Sequence, residues 1–312
     1  MVNCLMSKQL YFNILVYHKG CPDGTCGLWC GYRFQKRFRK IGMNAGTDPL
    51  LEIENKKIIF VDVCPSYEFI KDNIINKGNT ITILDHHKSS YDMYLLHKKE
   101  LDKLPNLHII IDMNRSGCQI AWDFFFKNKK RPWFIEYIAD RDLWSWSLEN
   151  SKEITKAIFY NKLLDAWDLE KIDQLLNYKQ RDVNNLAIEG KNIMDVENKI
   201  FERQLMYSNE GIMTVNNNKY KVQMANIMLE FSSDFGNLLA TKLLSDKSIP
   251  DFGIIWSYNP DENLWHLCLR STNDSELDLS TIAKYFGGGG HKNAAGIDFD
   301  KNPFTNNILE IN

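Results

Sequence analysis

Four short stretches carry side chains suited to metal or hydrolytic chemistry: 17-YHKGCPDG-24, 61-VDVCP-65, 84-LDHH-87 and 138-IADRDLW-144. They supply His18 and Asp23, then Asp62, then Asp85, His86 and His87, then Asp140 with Asp142. Several carboxylates gathered without a cation repel one another strongly. Carboxylate and imidazole together suit a divalent transition metal such as manganese, and two ions where a carboxylate bridges them. Each aspartate alone reads as a turn former or helix cap. His97, His108 and His266 read as ordinary core or surface residues. Adjacent histidines in a strand point to opposite faces, so one of His86 and His87 is enough for a metal. The functional reading therefore rests on whether the four stretches converge.

The elements that must position them follow from apolar runs and breakers. Strands are expected at Tyr11–His18, Lys57–Val63, Thr80–Leu84 and Leu107–Asp112, with a helix over Thr25–Lys40 after Pro22-Asp23-Gly24. Ser66 reads as an N-cap, and Ser116 opens an aromatic-rich helix to about Phe126. Helices are expected over Pro132–Trp146 and onward to about Leu176. Short apolar strands alternating with helices predict an α/β fold, a mostly parallel sheet covered on both faces. In such a sheet, ligands bind beyond the carboxyl ends of the strands. Arg181–Tyr207 reads as a long connecting helix, interrupted at most by Gly190. Strand pairs then alternate with two short helices, giving a smaller α/β domain with a mixed sheet. The expected division is residues 1–180, a connecting helix over 181–210, and a second domain over 211–312.

The 312 residues carry a formal net charge of −2, so no strong overall field favours a long polyanion or an anionic membrane. Neither a signal peptide nor a membrane span is evident, and seven scattered cysteines suggest no disulfide framework. A reducing, cytoplasmic setting is the expectation. Cys21, Cys26 and Cys30 lie close together, but no second cluster completes a zinc motif.

The run Gly287–Gly290 followed by His291 lets backbone N–H groups approach an anion. Gly288, Gly289, Gly290, His291 and Arg270 are the expected substrate-binding residues, with His291 and Arg270 adding charge-assisted hydrogen bonds to phosphate. Lys292 and Asn293 are weaker candidates. In 33-RFQKRFRK-40, Arg33, Lys36, Arg37 and Lys40 would share a helix face, either solvated or guiding an oligonucleotide by phosphate contacts. The aromatic stretch from Trp122 to Trp146 reads mainly as core, with base stacking the alternative. Weak overall basicity favours a short substrate.

These motifs, in this order, resemble the DHH phosphoesterase superfamily. Leu269-Arg270-Ser271 and LDLSTIAKYFGGGGHKNAAG (Leu277–Gly296) resemble its DHHA1 domain. The resemblance covers nearly the whole chain. It implies a two-domain hydrolase using one or two manganese or magnesium ions, related to RecJ-like exonucleases and nanoRNA hydrolases. By that resemblance Asp62 bridges two metals, His18 and Asp23 serve one, and His86 and Asp140 serve the other. Asp85 ligates or orients an imidazole, and His87 faces the scissile phosphate. The implied activity is hydrolysis of short single-stranded oligonucleotides to mononucleotides. Cyclic dinucleotides or nucleoside bisphosphates are the alternative substrates, with monomer and homodimer both open. The family's first motif usually holds two aspartates separated by one residue. Here Asp23 stands alone, and Cys21 or Thr25 takes the other place. That departure leaves open a weakened metal site, or a protein that binds nucleotides without cleaving them.

Overall fold

A computed structural model describes residues 11–311, and the amino-terminal stretch read for a leader lies mostly outside them. The chain forms two compact units, the first ending at Asp195 and the second beginning at Val196.

In the first unit the strands are β1 (Ile14–His18), β2 (Arg39–Met43), β3 (Lys57–Val61), β4 (Thr80–Asp85) and β5 (Leu107–Ile111). They form one all-parallel sheet in the order β2-β1-β3-β4-β5. The helices are α1 (Pro22–Phe34), α2 (Tyr67–Ile75), α3 (Lys88–Leu101), α4 (Gly117–Phe125), α5 (Trp133–Asp142), α6 (Ser151–Tyr160), α7 (Leu169–Gln174) and α8 (Gln180–Leu205), the last running on into the second unit. Successive strand side chains point to opposite faces, and both faces are apolar. Leu15, Tyr17, Ile59, Val61 and Leu84 pack with residues of α1, α4, α5 and α6. Ile14, Val16, Ile58, Phe60, Ile81 and Ile83 pack with Ile70 and Ile74 of α2 and Leu101 of α3. Local signals set the helix starts. Pro22 opens α1, Ser66 accepts from Phe69 N at 3.1 Å, and Ser116 with Gln119 forms a capping box.

The expected helix over Thr25–Lys40 is corrected: α1 stops at Phe34, and Arg39–Met43 is a strand absent from the sequence reading. Gln35 leaves the helix because its side chain bonds the backbone of Phe12 and Arg37. β2 lies at the sheet edge, where charged side chains discourage further pairing and also hide the strand from a search for apolar alternation. The four basic residues therefore share no helix face, and Arg33 and Lys36 reach Asp173 at 3.5 and 3.4 Å. Gly190 does not interrupt α8. A Cβ there would sit 1.8 Å from Glu153 O, so glycine lets α8 lie directly against the α6 backbone.

The second unit contains β6 (Asn209–Val215), β7 (Asn218–Asn226), α9 (Ser232–Thr241), β8 (Phe252–Asn259), β9 (Leu264–Arg270), α10 (Leu279–Tyr285), β10 (Gly289–His291), β11 (Ala294–Phe299) and β12 (Leu309–Ile311). Its mixed sheet runs β10-β11-β9-β8-β7-β6-β12, with β7 and β8 parallel and the remaining pairs antiparallel. Among the described residues no helix is long and apolar enough to cross a membrane.

Candidate active site

The strand order reverses at β1, which lies between β2 and β3, and the crevice at such a switch point is where open parallel sheets bind ligands. His18 closes β1, Asp62 directly follows β3, and Asp85 closes β4 ahead of His86 and His87. Asp23 comes from the first turn of α1 and Asp142 from the last turn of α5. Asp62 has φ 60°, a left-handed conformation costly for most side chains. Its backbone N–H donates to Leu84 O at 2.8 Å, which holds that turn against β4.

Asp62 is the hub of the cluster. Its Oδ2 lies 3.3 Å from His18 Nδ1, and its Oδ1 lies 3.1 Å from His86 Nε2. The same His86 nitrogen is 3.4 Å from Asp142 Oδ2 and 3.7 Å from Asp23 Oδ2. Two groups of candidate ligands lie wholly within the first unit, His18 with Asp62 and His87, and Asp23 with His86 and Asp142. Asp85 does something else. Its Oδ1 accepts from His86 N at 2.8 Å and pairs with His87 Nδ1 at 2.7 Å, while Oδ2 accepts from Ser90 Oγ. It is a positioning carboxylate that fixes the ring of His87 and the backbone between the two histidines. Asp23 Oδ2 and Oδ1 accept from Gly117 N at 2.6 Å and Cys118 N at 3.0 Å. This ties α1 to the amino end of α4, where backbone N–H groups favour an anion.

The electrostatics match a cluster built around a cation. Burial, then the neighbouring charges of Asp62 and Asp142, pushes the Asp23 carboxyl up to about 8. Burial also raises Asp142, aided by Asp62 and opposed by His86. Burial works against ionised Asp62 too, but His18 and His86 against its two oxygens outweigh it and hold that carboxyl well below its usual range. Burial would strip the proton from His86, yet Asp142, Asp62 and Asp23 raise it well above an ordinary imidazole. Three buried atoms, His18 Nδ1, Asp62 Oδ2 and Asp142 Oδ2, make no hydrogen bond and are met only by ion-pair contacts inside the cluster, 3.3 Å between the first two and 3.4 Å from the third to His86 Nε2. Buried polar atoms without a hydrogen bond are costly, and three of them in one nitrogen- and oxygen-donor cluster fit a divalent metal ion.

Asp140 stands apart from these ligands. Its Oδ1 accepts from Ser147 N at 2.8 Å and Ser147 Oγ at 2.6 Å, and its Oδ2 accepts from Leu148 N at 3.3 Å. It shapes the loop after α5, and Asp142, two residues on, stands beside His86 in the place expected for Asp140. Of the two candidates for the missing aspartate, Cys21 lies in the field of the cluster. Burial, then Asp62, Asp142 and Asp23, pushes its thiol well up. Among the described residues no cysteine joins a group of three candidate ligands.

In the second unit the glycine run is largely part of a hairpin. A Cβ on Gly288 would lie 2.1 Å from Gly296 O, and one on Gly290 2.4 Å from Ala294 O, so close packing demands glycine at both. At Gly289 a Cβ meets open space. Arg270 pairs in register with Ala294, which pairs with His291. Residues directly opposite across antiparallel strands share a face, so Arg270 and His291 flank the small side chain of Ala294. The Arg270 guanidinium also bonds Leu269 O at 2.9 Å and Ser233 Oγ at 3.4 Å.

No protein-family model matches the chain. An uncharacterized protein of Acanthamoeba polyphaga mimivirus, R106, is 32% identical over 317 residues, which span 95% of this chain and 69% of that protein. The oligoribonuclease NrnB of Bacillus subtilis is 22% identical over 304 residues, spanning 90% of this chain and 71% of that one. Among solved structures, RecJ from Thermus thermophilus in complex with Mn2+ covers 95% of this chain and 50% of its own, with TM-score 0.44 and 12% identity.

Proposed function

We propose that this chain, which belongs to the DHH phosphoesterase superfamily, is a divalent-metal-dependent phosphodiesterase releasing mononucleotides from short single-stranded RNA. The observation that carries this reading is the meeting of two candidate ligand groups at Asp62, with buried donor atoms that make no hydrogen bond in both. His18 and Asp62 would hold one ion, with His87 beside it, and Asp23, His86 and Asp142 the other, with Asp62 next to both. Manganese suits this mixed nitrogen and oxygen set. When bound, such cations polarise phosphoryl oxygens and acidify water.

The chain's own groups account for the remaining roles. Burial disfavours the His87 imidazolium, but the charge and hydrogen bond of Asp85 outweigh it and raise the ring's pKa. A ring so held can donate a proton to a phosphoryl oxygen as negative charge develops there. Gly117 N and Cys118 N keep Asp23 turned toward His86. In the second unit, Arg270 and His291 on either side of Ala294 offer a guanidinium and an imidazole donor to a substrate phosphate. The similarity to a protein named oligoribonuclease supports RNA as substrate. The ordinary net charge fits a short chain better than a long polymer.

The test is a panel of end-labelled short RNAs, short DNAs, cyclic dinucleotides and nucleoside bisphosphates incubated with protein and manganese. Mononucleotide release from short RNA, abolished by chelator and by Asp62→Asn, is the expected result. Hydrolysis of none of the panel while a nucleotide still binds would replace the enzyme with a binding protein. Preference for a cyclic dinucleotide or a bisphosphate would move the substrate within the superfamily.

A further inference from the structure

The basic run 33-RFQKRFRK-40 gains a second half in the fold. The turn between α4 and α5 carries 127-KNKKR-131, and a line of aromatic rings joins the two. Phe34 stacks on Phe125 at 5.2 Å and meets Phe126 edge-on at 6.1 Å. Lys129 Nζ lies 5.5 Å from the Phe126 ring centroid, and the Lys129 N–H closes a turn onto Phe126 O at 2.9 Å. Gln35 donates to Arg37 O at 2.6 Å, which fixes the chain between α1 and β2. Neither 33–41 nor 124–135 contains an acidic residue. This pole lies at the amino edge of the parallel sheet, away from the metal cluster. Arg39 opens β2 in register with Ile14, the first residue of β1. From Asp23 to Phe34, α1 carries the chain about 17 Å along its axis.

Positive charge at the pole exceeds what the protein itself neutralises. Two neighbouring carboxylates each serve two cations: Asp123 meets Arg115 and Arg131 at 2.8 and 2.6 Å, and Asp173 meets Arg33 and Lys36 at 3.5 and 3.4 Å. Among the described residues Arg37, Arg39, Lys127, Lys129 and Lys130, all exposed, form no ion pair. Like charges held together repel one another, and an anion with several charges in a row relieves them. An anionic bilayer would match the charge, but segments that anchor there bury protruding apolar side chains. Here Phe34, 36% exposed with its ring on Phe125, is the one exposed large apolar side chain in the two segments. A ring so placed is suited to stacking with a base instead.

We propose that this pole docks single-stranded nucleic acid, its phosphates against Arg37, Arg39 and the lysines of the α4–α5 turn and a base against Phe34. Phosphate contacts carry the affinity and its salt dependence, and an aromatic face accepts any base. At about 3.4 Å per nucleotide, the about 17 Å from Asp23 is roughly five nucleotides. The shortest substrates at the metal cluster therefore end before the pole, and longer strands gain from it. The docking itself does not depend on hydrolysis.

Fluorescence anisotropy of labelled oligo(A) with chelator-treated Asp62→Asn protein tests this without any turnover. The probes are a trinucleotide and a strand of about 20 nucleotides, longer than single-stranded sites of about 4–16. The long strand should bind at least tenfold more tightly than the trinucleotide. Lys127→Gln, Lys129→Gln and Lys130→Gln together should weaken it at least tenfold while leaving the melting temperature unchanged. The same variant should flatten the plot of log affinity against log salt by about 2, at ~0.7 per phosphate contact on a single strand. Phe34→Leu, which keeps an apolar contact with Phe125, should weaken oligo(A) about fivefold or more and leave inorganic polyphosphate unaffected. Wild-type affinity and salt slope in the triple lysine variant would overturn the proposal. So would a Phe34→Leu protein indistinguishable from wild type, or capture by vesicles containing phosphatidylserine with none of oligo(A). Hydrolysis of the short RNAs should be unchanged in the triple lysine variant, so this proposal and the hydrolytic reading fall separately.

Discussion

The paired substitutions Asp140→Asn and Asp142→Asn separate a structural carboxylate from one proposed to bind metal, using the same chemistry two residues apart. Asp140 accepts three hydrogen bonds from the loop after α5. An asparagine keeps one oxygen for Ser147 but turns an NH2 toward Leu148 N–H. Hydrogen bonds to a charged group contribute about 1.5–3 kcal/mol, so roughly 2 kcal/mol of stability should go. At about 2–4 °C per kcal/mol for a unit of this size, that is a drop of roughly 4–8 °C. Its response to manganese should persist. Burial raises the Asp142 carboxyl further than the His86 charge beside it lowers it, so Asp142→Asn should leave the chelated protein as stable as wild type or more so. The loss should appear with metal. At a manganese concentration 100 times Kd, binding stabilises by about 2.7 kcal/mol, and a tenfold weaker site reduces this to about 1.4 kcal/mol. Thermal unfolding with chelator and with manganese reads both effects. An Asp142→Asn protein that keeps the full manganese-induced gain, beside an Asp140→Asn protein that loses it, would refute the assignment.

Asp85→Asn should lower kcat by about 10²-fold with little change in KM, because His87 loses the charge that raises its pKa; an unchanged kcat across pH 6–8 would remove Asp85 from that role. Gly117→Ala would put a methyl 2.6 Å from Asp62 Cβ and 2.9 Å from its Oδ1. The strain should cost about 1–3 kcal/mol and weaken manganese binding, whereas native melting and metal affinity would show that the α4 amino end is free to shift. Without metal, stability should decline as pH rises from about 4 to about 8. Folded Asp23 holds its proton up to about 8 and the unfolded group releases it near 3.8, so the folded state binds more protons in that window. The raised pKa of His86 acts in the same direction, its contribution complete below the ordinary imidazole value and lost as pH climbs through the folded one. Manganese needs deprotonated ligands, so its stabilisation should grow with pH. A chelated protein that melts higher at pH 8 than at pH 5.5 would contradict this.

The parts of the site legible in the sequence are those where an apolar strand runs straight into a hard ligand. His18, Asp62 and Asp85 follow β-branched or aromatic runs, and a parallel sheet has one edge at which such residues meet. Choosing between Asp140 and Asp142 needs more. They sit at positions i and i+2 of one helix, about 200° apart around its axis, so only one can face the strand ends. Which one does so depends on how α5 is rotated against α1 and α4, which no motif records. β2 escaped for a related reason: an edge strand needs only one partner, and Arg39 and Lys40 suit solvent better than a core. The glycine run shows the reverse ambiguity, since anion binding and close backbone packing both ask for glycine. The structure gives the packing reason for Gly288 and Gly290 and leaves Gly289 with open space. The fourth motif thus spends its two aspartates differently. Asp140 builds the loop that ends α5, and that loop in turn fixes the end of the helix from which Asp142 reaches His86. Removing the loop-building carboxylate should therefore loosen the site only as far as it loosens the helix end, which is why melting temperature and metal response are expected to part company in the two variants.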